Sequence, residues 1–173
     1  MAKNRILIVE DDKDIAESVG LNLDLSGYDY TIIGDGLMVV EHLASDHSYD
    51  LALLDVMLPG LDGFALMEHM QKYNIPALYL TAKTDVNSRI RGLRDGAEDY
   101  IIKPFEMLEL LVRIEKILER TGKLNKILRY RDITVDIEKR TVMKAGEAIP
   151  LQPLEFDLFA MFLRFKNCTL SRE

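Results

Sequence analysis

The 173-residue chain contains no tryptophan, one cysteine and three histidines, and each shortage removes a class of chemistry. A single cysteine, Cys168, excludes an internal disulfide and fits a reducing cytosol; near a chain end it reads as a small apolar filler rather than a catalytic thiol. So few cysteines and histidines leave no zinc-ligand spacing. No apolar run approaches 18 residues, so no transmembrane helix is predicted. The N-terminus, MAKNRILIVEDD, is a short strand followed at once by acids, unlike a signal peptide. No Ser/His/Asp arrangement and no Walker loop is present. GDG at 34–36 lacks the third glycine of a dinucleotide loop and reads as a turn. His42, His47 and His69 have no ligand-like partners and read as surface residues.

What remains is a soluble globular composition, 48% hydrophobic, long enough for one good core and a second, smaller one. The net charge of −7 is unevenly spread. Residues 1–122 carry 12 Lys+Arg against 22 Asp+Glu, whereas residues 123–173 carry 10 against 7. An acidic unit followed by a mildly basic one suggests two modules with different partners.

From residue 5 to 120, short apolar runs alternate with segments of helical period. The predicted strands are RILIV (5–9), YDYTII (28–33), LALL (51–54), ALYL (77–80) and DYII (99–102). Several are continuous apolar runs without polar alternation, the pattern of parallel strands covered on both faces. Asp12 and Asp62 sit at helix-capping positions, Gly27 and Gly96 at helix stops. The last helix, 106–120, places Leu108, Leu111, Ile114 or Glu115, and Leu118 at helical spacing. Five βα units in a row predict a doubly wound, flavodoxin-like sheet of order 2-1-3-4-5. Residues 121–126 read as a polar linker. Beyond it, ILRY, ITVDI, RTVMKA and AIPL read as a small antiparallel sheet. Then Pro153 opens a helix with Phe156, Phe159 and Phe162 or Leu163 on one face.

The chemistry gathers at strand ends. Glu10 and Asp11 follow the first strand, Asp55 the third, Thr81 the fourth and Lys103 the fifth, and in a parallel sheet these points converge on the crevice at the carboxyl edge. Three carboxylates within a few ångströms repel by about 4 kcal/mol per close pair at a surface-like dielectric. A divalent cation relieves that conflict, and a few hard oxygen ligands with room for water suit Mg²⁺. Beside Mg²⁺, Asp55 is placed to attack a phosphoryl group as an oxygen nucleophile and form an acyl phosphate. Lys103 and the Thr81 hydroxyl then hold phosphoryl oxygens.

These residues resemble the receiver domains of two-component response regulators. ILIVEDD resembles the family's acidic pocket, LLDVMLPGLDG its phosphoacceptor loop, LTAK its switch threonine and GAEDYIIKPF its lysine segment, over residues 3–120. The resemblance implies that Glu10 and Asp11 are the acidic pair, that Met57 adds its backbone carbonyl to the metal, and that the Ala82 backbone joins Thr81 and Lys103 at the phosphoryl group. It also implies a cis peptide before Pro104, Tyr100 as a switch aromatic, a sensor histidine kinase as phosphodonor, a cytoplasmic location, and homodimerisation through the fourth helix, fifth strand and fifth helix. There Arg89 with Glu109, Asp99 with Arg113, and Glu98 with Arg120 fall at positions that pair across the two-fold.

Residues 127–173 resemble the start of the winged-helix effector domain of the OmpR/PhoB subfamily, LQPLEFDLF matching the entry to its first helix and CTLSRE the approach to its second. The recognition helix and wing are not in the sequence, so specific promoter binding is expected only of a full-length parent. Without those helices the apolar face of 153–165 is covered by the small sheet, by a neighbouring chain, or not at all. The function implied is a phosphorylation-dependent regulator of transcription and not an enzyme. The rival, an aspartyl-phosphate phosphatase of the haloacid-dehalogenase kind, needs an acid two residues past the nucleophile, where this chain has Met57.

Overall fold

The computed structural model describes residues 3–82 and 96–164. These form two compact units, divided between Leu124 and Asn125. The first holds a five-stranded parallel sheet, β1 (Arg5–Val9), β2 (Asp29–Ile33), β3 (Leu51–Asp55), β4 (Ala77–Ala82) and β5 (Asp99–Lys103), in the expected order β2-β1-β3-β4-β5. Around it lie α1 (Lys13–Leu25), α2 (Gly36–Ser45), α3 (Gly63–Lys72) and α4 (Met107–Arg120). Every residue of β3 is buried, and β1 is buried from Ile6 to Val9. A run such as LALL without polar alternation is stable only where helices cover both faces.

Local chemistry sets where the helices begin. The Asp12 carboxylate accepts from the N–H groups of Asp14 and Ile15, Asp35 from Leu37 and Met38, and Asp62 from Ala65, each satisfying donors that a helix start leaves open. Gly27, at φ +88°, follows the end of α1 in a conformation that disfavours other residues. Gly96 shares that conformation, but the helix it was expected to stop lies outside the described residues.

Some expectations need correction. GDG at 34–36 is a helix start rather than a free turn. In α4 the buried stripe is Leu110, Leu111, Ile114, Ile117 and Leu118, so Leu108 stands at its margin: the helix presents two adjacent rows to the sheet instead of one. His42 is half-buried and bonded to the Tyr49 hydroxyl at 2.7 Å, whereas His47 is exposed as expected and stacks on Tyr73. Residues 121–124, expected in a linker, are folded back on the first unit. Lys123 N and Leu124 N donate to Leu118 O, and the buried Asn4 carboxamide donates to Lys123 O.

The second unit is an antiparallel meander, β6 (Ile127–Tyr130), β7 (Ile133–Asp136), β8 (Thr141–Lys144) and β9 (Glu147–Ile149), with α5 (Pro153–Arg164) after it. The β8–β9 turn is Ala145-Gly146, both at positive φ, the geometry of a tight hairpin. Its core joins Val135 and Val142 of the sheet to Phe156 and Ala160 of α5, with Phe159 and Leu163 packed beside them. Of the two residues read for the end of this face, Leu163 packs and Phe162 is exposed. The helix therefore covers its own sheet with one face. Leu154, Leu158, Met161 and Phe162 remain outside. Cys168 lies outside the described residues.

Candidate functional site

Because the five strands are parallel, their carboxyl ends share one edge, and the singled-out side chains arrive there from four different strands. Register pairs Asp55 with Leu80, Thr81 with Ile102, and Ala82 with Lys103. Asp55, Thr81, Ala82 and Lys103 are the last turns of their strands rather than residues just beyond them. Glu10 follows β1 directly, and its N–H donates to Ile33 O of β2.

The Lys103 ammonium lies 2.6 Å from Glu10 Oε2 and 2.6 Å from Asp55 Oδ2. Asp55 Oδ1 accepts from the Met57 N–H at 2.9 Å, and Glu10 Oε1 from the Asp12 N–H at 3.3 Å. Glu10, Asp11 and Asp55 each offer a carboxylate oxygen within 4.8 Å of the others. Glu10 and Asp55 are buried while Asp11 is exposed, so the cluster opens to solvent on the Asp11 side.

Burial pushes the Glu10 carboxyl above its ordinary range, and the Asp55 charge pushes it the same way against the Lys103 hydrogen bond. Burial alone lowers the Lys103 ammonium, but bonds to Asp55 and Glu10 outweigh it and the net direction is upward. One cation thus holds two buried carboxylates, and the third acid adds a charge that no cation among the described residues pairs. An all-oxygen donor set, open on one side, fits a hard divalent cation and not a soft one.

The surroundings are more mixed. Thr81 is buried, and its Oγ1 donates to Ala82 O at 3.4 Å. Tyr100 is half-buried against the core cluster that contains Tyr79. The Lys103–Pro104 peptide is cis. The Met57 side chain is exposed.

On the β5–α4 side, Arg113 reaches Asp99 at 2.6 Å and Glu109 at 2.7 Å, and Arg120 reaches Glu98 at 2.6 Å. Residues expected to pair across a two-fold are here paired within one chain, because β5 and α4 run side by side and place these side chains in reach. Arg89 lies outside the described residues.

Two glycines whose contacts escaped the sequence reading hold the site's frame. A Cβ on Gly63 would stand 2.2 Å from the Asp55 carbonyl oxygen, and one on Gly36 would stand 1.9 Å from Leu61 O. Helices α2 and α3 approach the 55–61 segment more closely than any side chain allows. The available signal was the repeated Asp-Gly ahead of two apolar helical stretches, at 35–36 and 62–63.

An acid-lined crevice with one lysine at the carboxyl edge of a 2-1-3-4-5 sheet defines a receiver-type α/β unit. The family model described as "Response regulator receiver domain" matches residues 6–115, and the chain belongs to that family. It is 38% identical over 179 residues to the "Uncharacterized transcriptional regulatory protein YkoG" of Bacillus subtilis, covering 100% of this chain and 78% of that protein. It is 38% identical over 176 residues to the "DNA-binding response regulator MtrA" of Mycobacterium tuberculosis, covering 99% and 75%. Among solved structures, response regulator DrrB, described as an OmpR/PhoB homolog from Thermotoga maritima, matches with a TM-score of 0.61 at 27% identity. It covers 94% of this chain and 73% of that one. The likeness therefore runs through both units, and the chain is a response regulator of OmpR/PhoB type.

Proposed function

We propose that the first unit accepts a phosphoryl group on Asp55 from the phosphohistidine of a sensor kinase. The observation that carries this reading is the 2.6 Å contact of Lys103 with both Asp55 and Glu10, with Asp11 inside ligand range of both. In the transfer an Asp55 carboxylate oxygen forms the new O–P bond as the N–P bond to the donor imidazole breaks. The imidazole leaves with that electron pair and takes a proton. Lys103 draws one phosphoryl oxygen by charge, and the Thr81 hydroxyl and the Ala82 N–H donate to others. Glu10, Asp11, Asp55 and the Met57 carbonyl would hold Mg²⁺, which supplies neutralisation of the charge that accumulates on the phosphoryl oxygens.

Phosphorylation adds nearly two negative charges to a pocket where, among the described residues, Lys103 is the cation paired with Asp55. Thr81 turning toward that charge vacates space for Tyr100, which couples the pocket to the β5–α4 face. That face, with Glu98, Asp99, Glu109, Arg113 and Arg120, is the proposed homodimer surface, to which the family resemblance adds Arg89. Its exposed ion pairs exchange partners between chains at about 0 to 1 kcal/mol each, which sets orientation more than strength. Residues 1–120 act as the receiver with 121–124 packed against it, 125–126 as the joint, and 127–173 as the leading part of a winged-helix module. Binding of promoter DNA belongs to a chain that carries a recognition helix, an element not found among the described residues.

The protein works as a regulator rather than an enzyme, in the cytoplasm. Among the described residues no helix is long and apolar enough to cross a membrane. Intact-mass measurement after incubation with Mg²⁺ and a small phosphoryl donor tests the reading. One adduct of a phosphoryl group, absent from Asp55→Asn, is expected. An unmodified chain under conditions that modify another receiver refutes it.

A further inference from the structure

The parallel sheet has two edges, and the proposed dimer face lies at the β5 side. At the opposite edge, β2 pairs with β1 alone, in an unbroken register from Arg5↔Asp29 to Val9↔Ile33. Two bonds fix the direction of its backbone groups. Asp29 N donates to Asn4 O, and Ile33 O accepts from Glu10 N. Along a parallel strand the N–H and C=O of one residue point the same way, and successive residues alternate. Asp29, Thr31 and Ile33 therefore turn theirs inward to β1. Tyr30 and Ile32 turn theirs outward, where among the described residues no further strand receives them.

Such an edge is ordinarily blunted by a lysine, a proline or a bulge. The strand DYTII has none of these. Its one charge, Asp29, stands at its start and is held by Lys3 at 3.3 Å. Tyr30 and Ile32 are 40% and 37% exposed. Both lie on the α1 face, since a Cβ on Gly20 would meet the Tyr30 ring at 2.6 Å and side chains two apart on a strand share a face.

The segment is complementary to itself. Laid antiparallel against a second copy about a two-fold axis at Thr31, Tyr30 of each chain stands opposite Ile32 of the other. Their outward N–H and C=O groups then exchange hydrogen bonds as a closely spaced pair of the ladder, and an aromatic side chain faces a β-branched one on both sides of the axis. We infer that β2 is a second self-association edge, at which two chains join their sheets through an isologous antiparallel β2–β2 pair. Being at the far edge from β5, it neither competes with the proposed dimer face nor requires a phosphoryl group. Residues 1–122 carry ten more acids than bases, so charge opposes this approach, and salt strengthens it by screening. An interface aligned by ion pairs responds to salt in the reverse sense.

Sedimentation equilibrium of the unphosphorylated full chain, from about 10 µM to about 1 mM, reads the association. A dimer is expected, tighter in about 0.5 M than in about 0.05 M NaCl. Ile32→Pro should weaken it by about tenfold or more, because proline at this edge position removes an N–H that faces solvent in the single chain. Register is read by crosslinking in a Cys168→Ser background. Thr31→Cys brings two thiols together at a Cα separation of about 4.5 Å, within disulfide reach. Asp29→Cys, four residues out of register with its own copy, keeps them more than about 13 Å apart. Oxidation should give a covalent dimer from Thr31→Cys and only background from Asp29→Cys. A chain that stays monomeric, a dimer that Ile32→Pro leaves unchanged, or equal crosslinking of the two cysteine variants overturns the pairing.

Discussion

Substituting Gly63 by alanine tests whether the close approach of α3 to β3 positions Asp55. Two effects oppose each other. Alanine is the better helix former and restricts the unfolded chain, a gain of about 0.4–1 kcal/mol. Against it, the new Cβ would lie 2.2 Å from Asp55 O and 3.0 Å from Asp55 C. Reaching an ordinary contact requires a shift of about 1 Å, and overpacking of this kind costs about 1–3 kcal/mol. The clash is with backbone, which cannot swing aside as a side chain can, so the loss wins and Gly63→Ala is destabilised by about 1–2 kcal/mol net. The shift falls on the residue that carries the phosphoacceptor. A misplacement of about 1 Å slows a positioned reaction by up to about 10²-fold. Urea unfolding should therefore show a midpoint lowered by about 0.5–1 M, and acetyl phosphate labelling should slow at least tenfold under conditions where the variant is fully folded. Gly20→Ala is the comparison, because the three atoms nearest its Cβ all belong to the movable Tyr30 ring. Wild-type midpoint and labelling rate for Gly63→Ala would refute the argument.

At pH 7, Mg²⁺ at tenfold its dissociation constant should raise unfolding stability by about 1.4 kcal/mol, and Asp11→Asn should abolish the increment; an equal increment in the variant would remove Asp11 from the site. Arg5 holds the Asp46 carboxyl well below the usual carboxylate range by a hydrogen bond at 2.9 Å, helped by the Ser48 N–H. A depressed carboxylate stabilises above its unfolded pKa of about 4 and loses that contribution as pH falls through the folded value. The pair is more than a third exposed, so screening limits its worth to about 0.5–1 kcal/mol. Asp46→Asn should show that deficit at pH 7, with the gap to the parent closing below about pH 4 in urea titrations. Phe156→Ala should cost about 3–5 kcal/mol, more than a sheet with so small a core can lose. Amides of β6–β9 should then exchange freely with solvent while those of β1–β5 stay protected.

What the sequence made legible follows from which interactions are local. The inner strands β1, β3 and β4 announced themselves because burial on both faces forbids polar residues, and the caps at Asp12 and Asp62 because an orphan N–H needs a nearby oxygen. The convergence of Glu10, Asp55, Thr81 and Lys103 was readable because strand ends in a parallel sheet share an edge whatever the loops do. Gly63 and Gly36 were not readable as contacts, since what a missing Cβ touches is decided by elements distant in the chain. The same holds for α5. Its period was clear, but whether Phe162 or Leu163 faced inward depended on where Val135 and Val142 stood. Arg113 and Arg120 show the reverse limit: their complementary acids were identified, but a list of charges does not distinguish a partner in the same chain from one in another.

Lys103 links stability and signalling at this site. With its ammonium 2.6 Å from two buried carboxylates, it offsets part of the burial and of the Asp55 repulsion that push Glu10 upward. Each carboxylate it holds also loses some nucleophilic freedom. Replacing it with methionine keeps the stem and removes the charge. Glu10 and Asp55 then face each other across a buried pocket without compensation, and breaking a buried pair in this way costs about 3–5 kcal/mol unless one acid takes up a proton. Protonation is the easier route, so the loss should shrink as pH falls from 7 to 5 and grow as pH rises. Phosphoryl uptake by Lys103→Met should remain low throughout that range, because no ammonium remains to draw the phosphoryl oxygen. A variant whose stability deficit does not change with pH would show that the lysine packs there without balancing the acids.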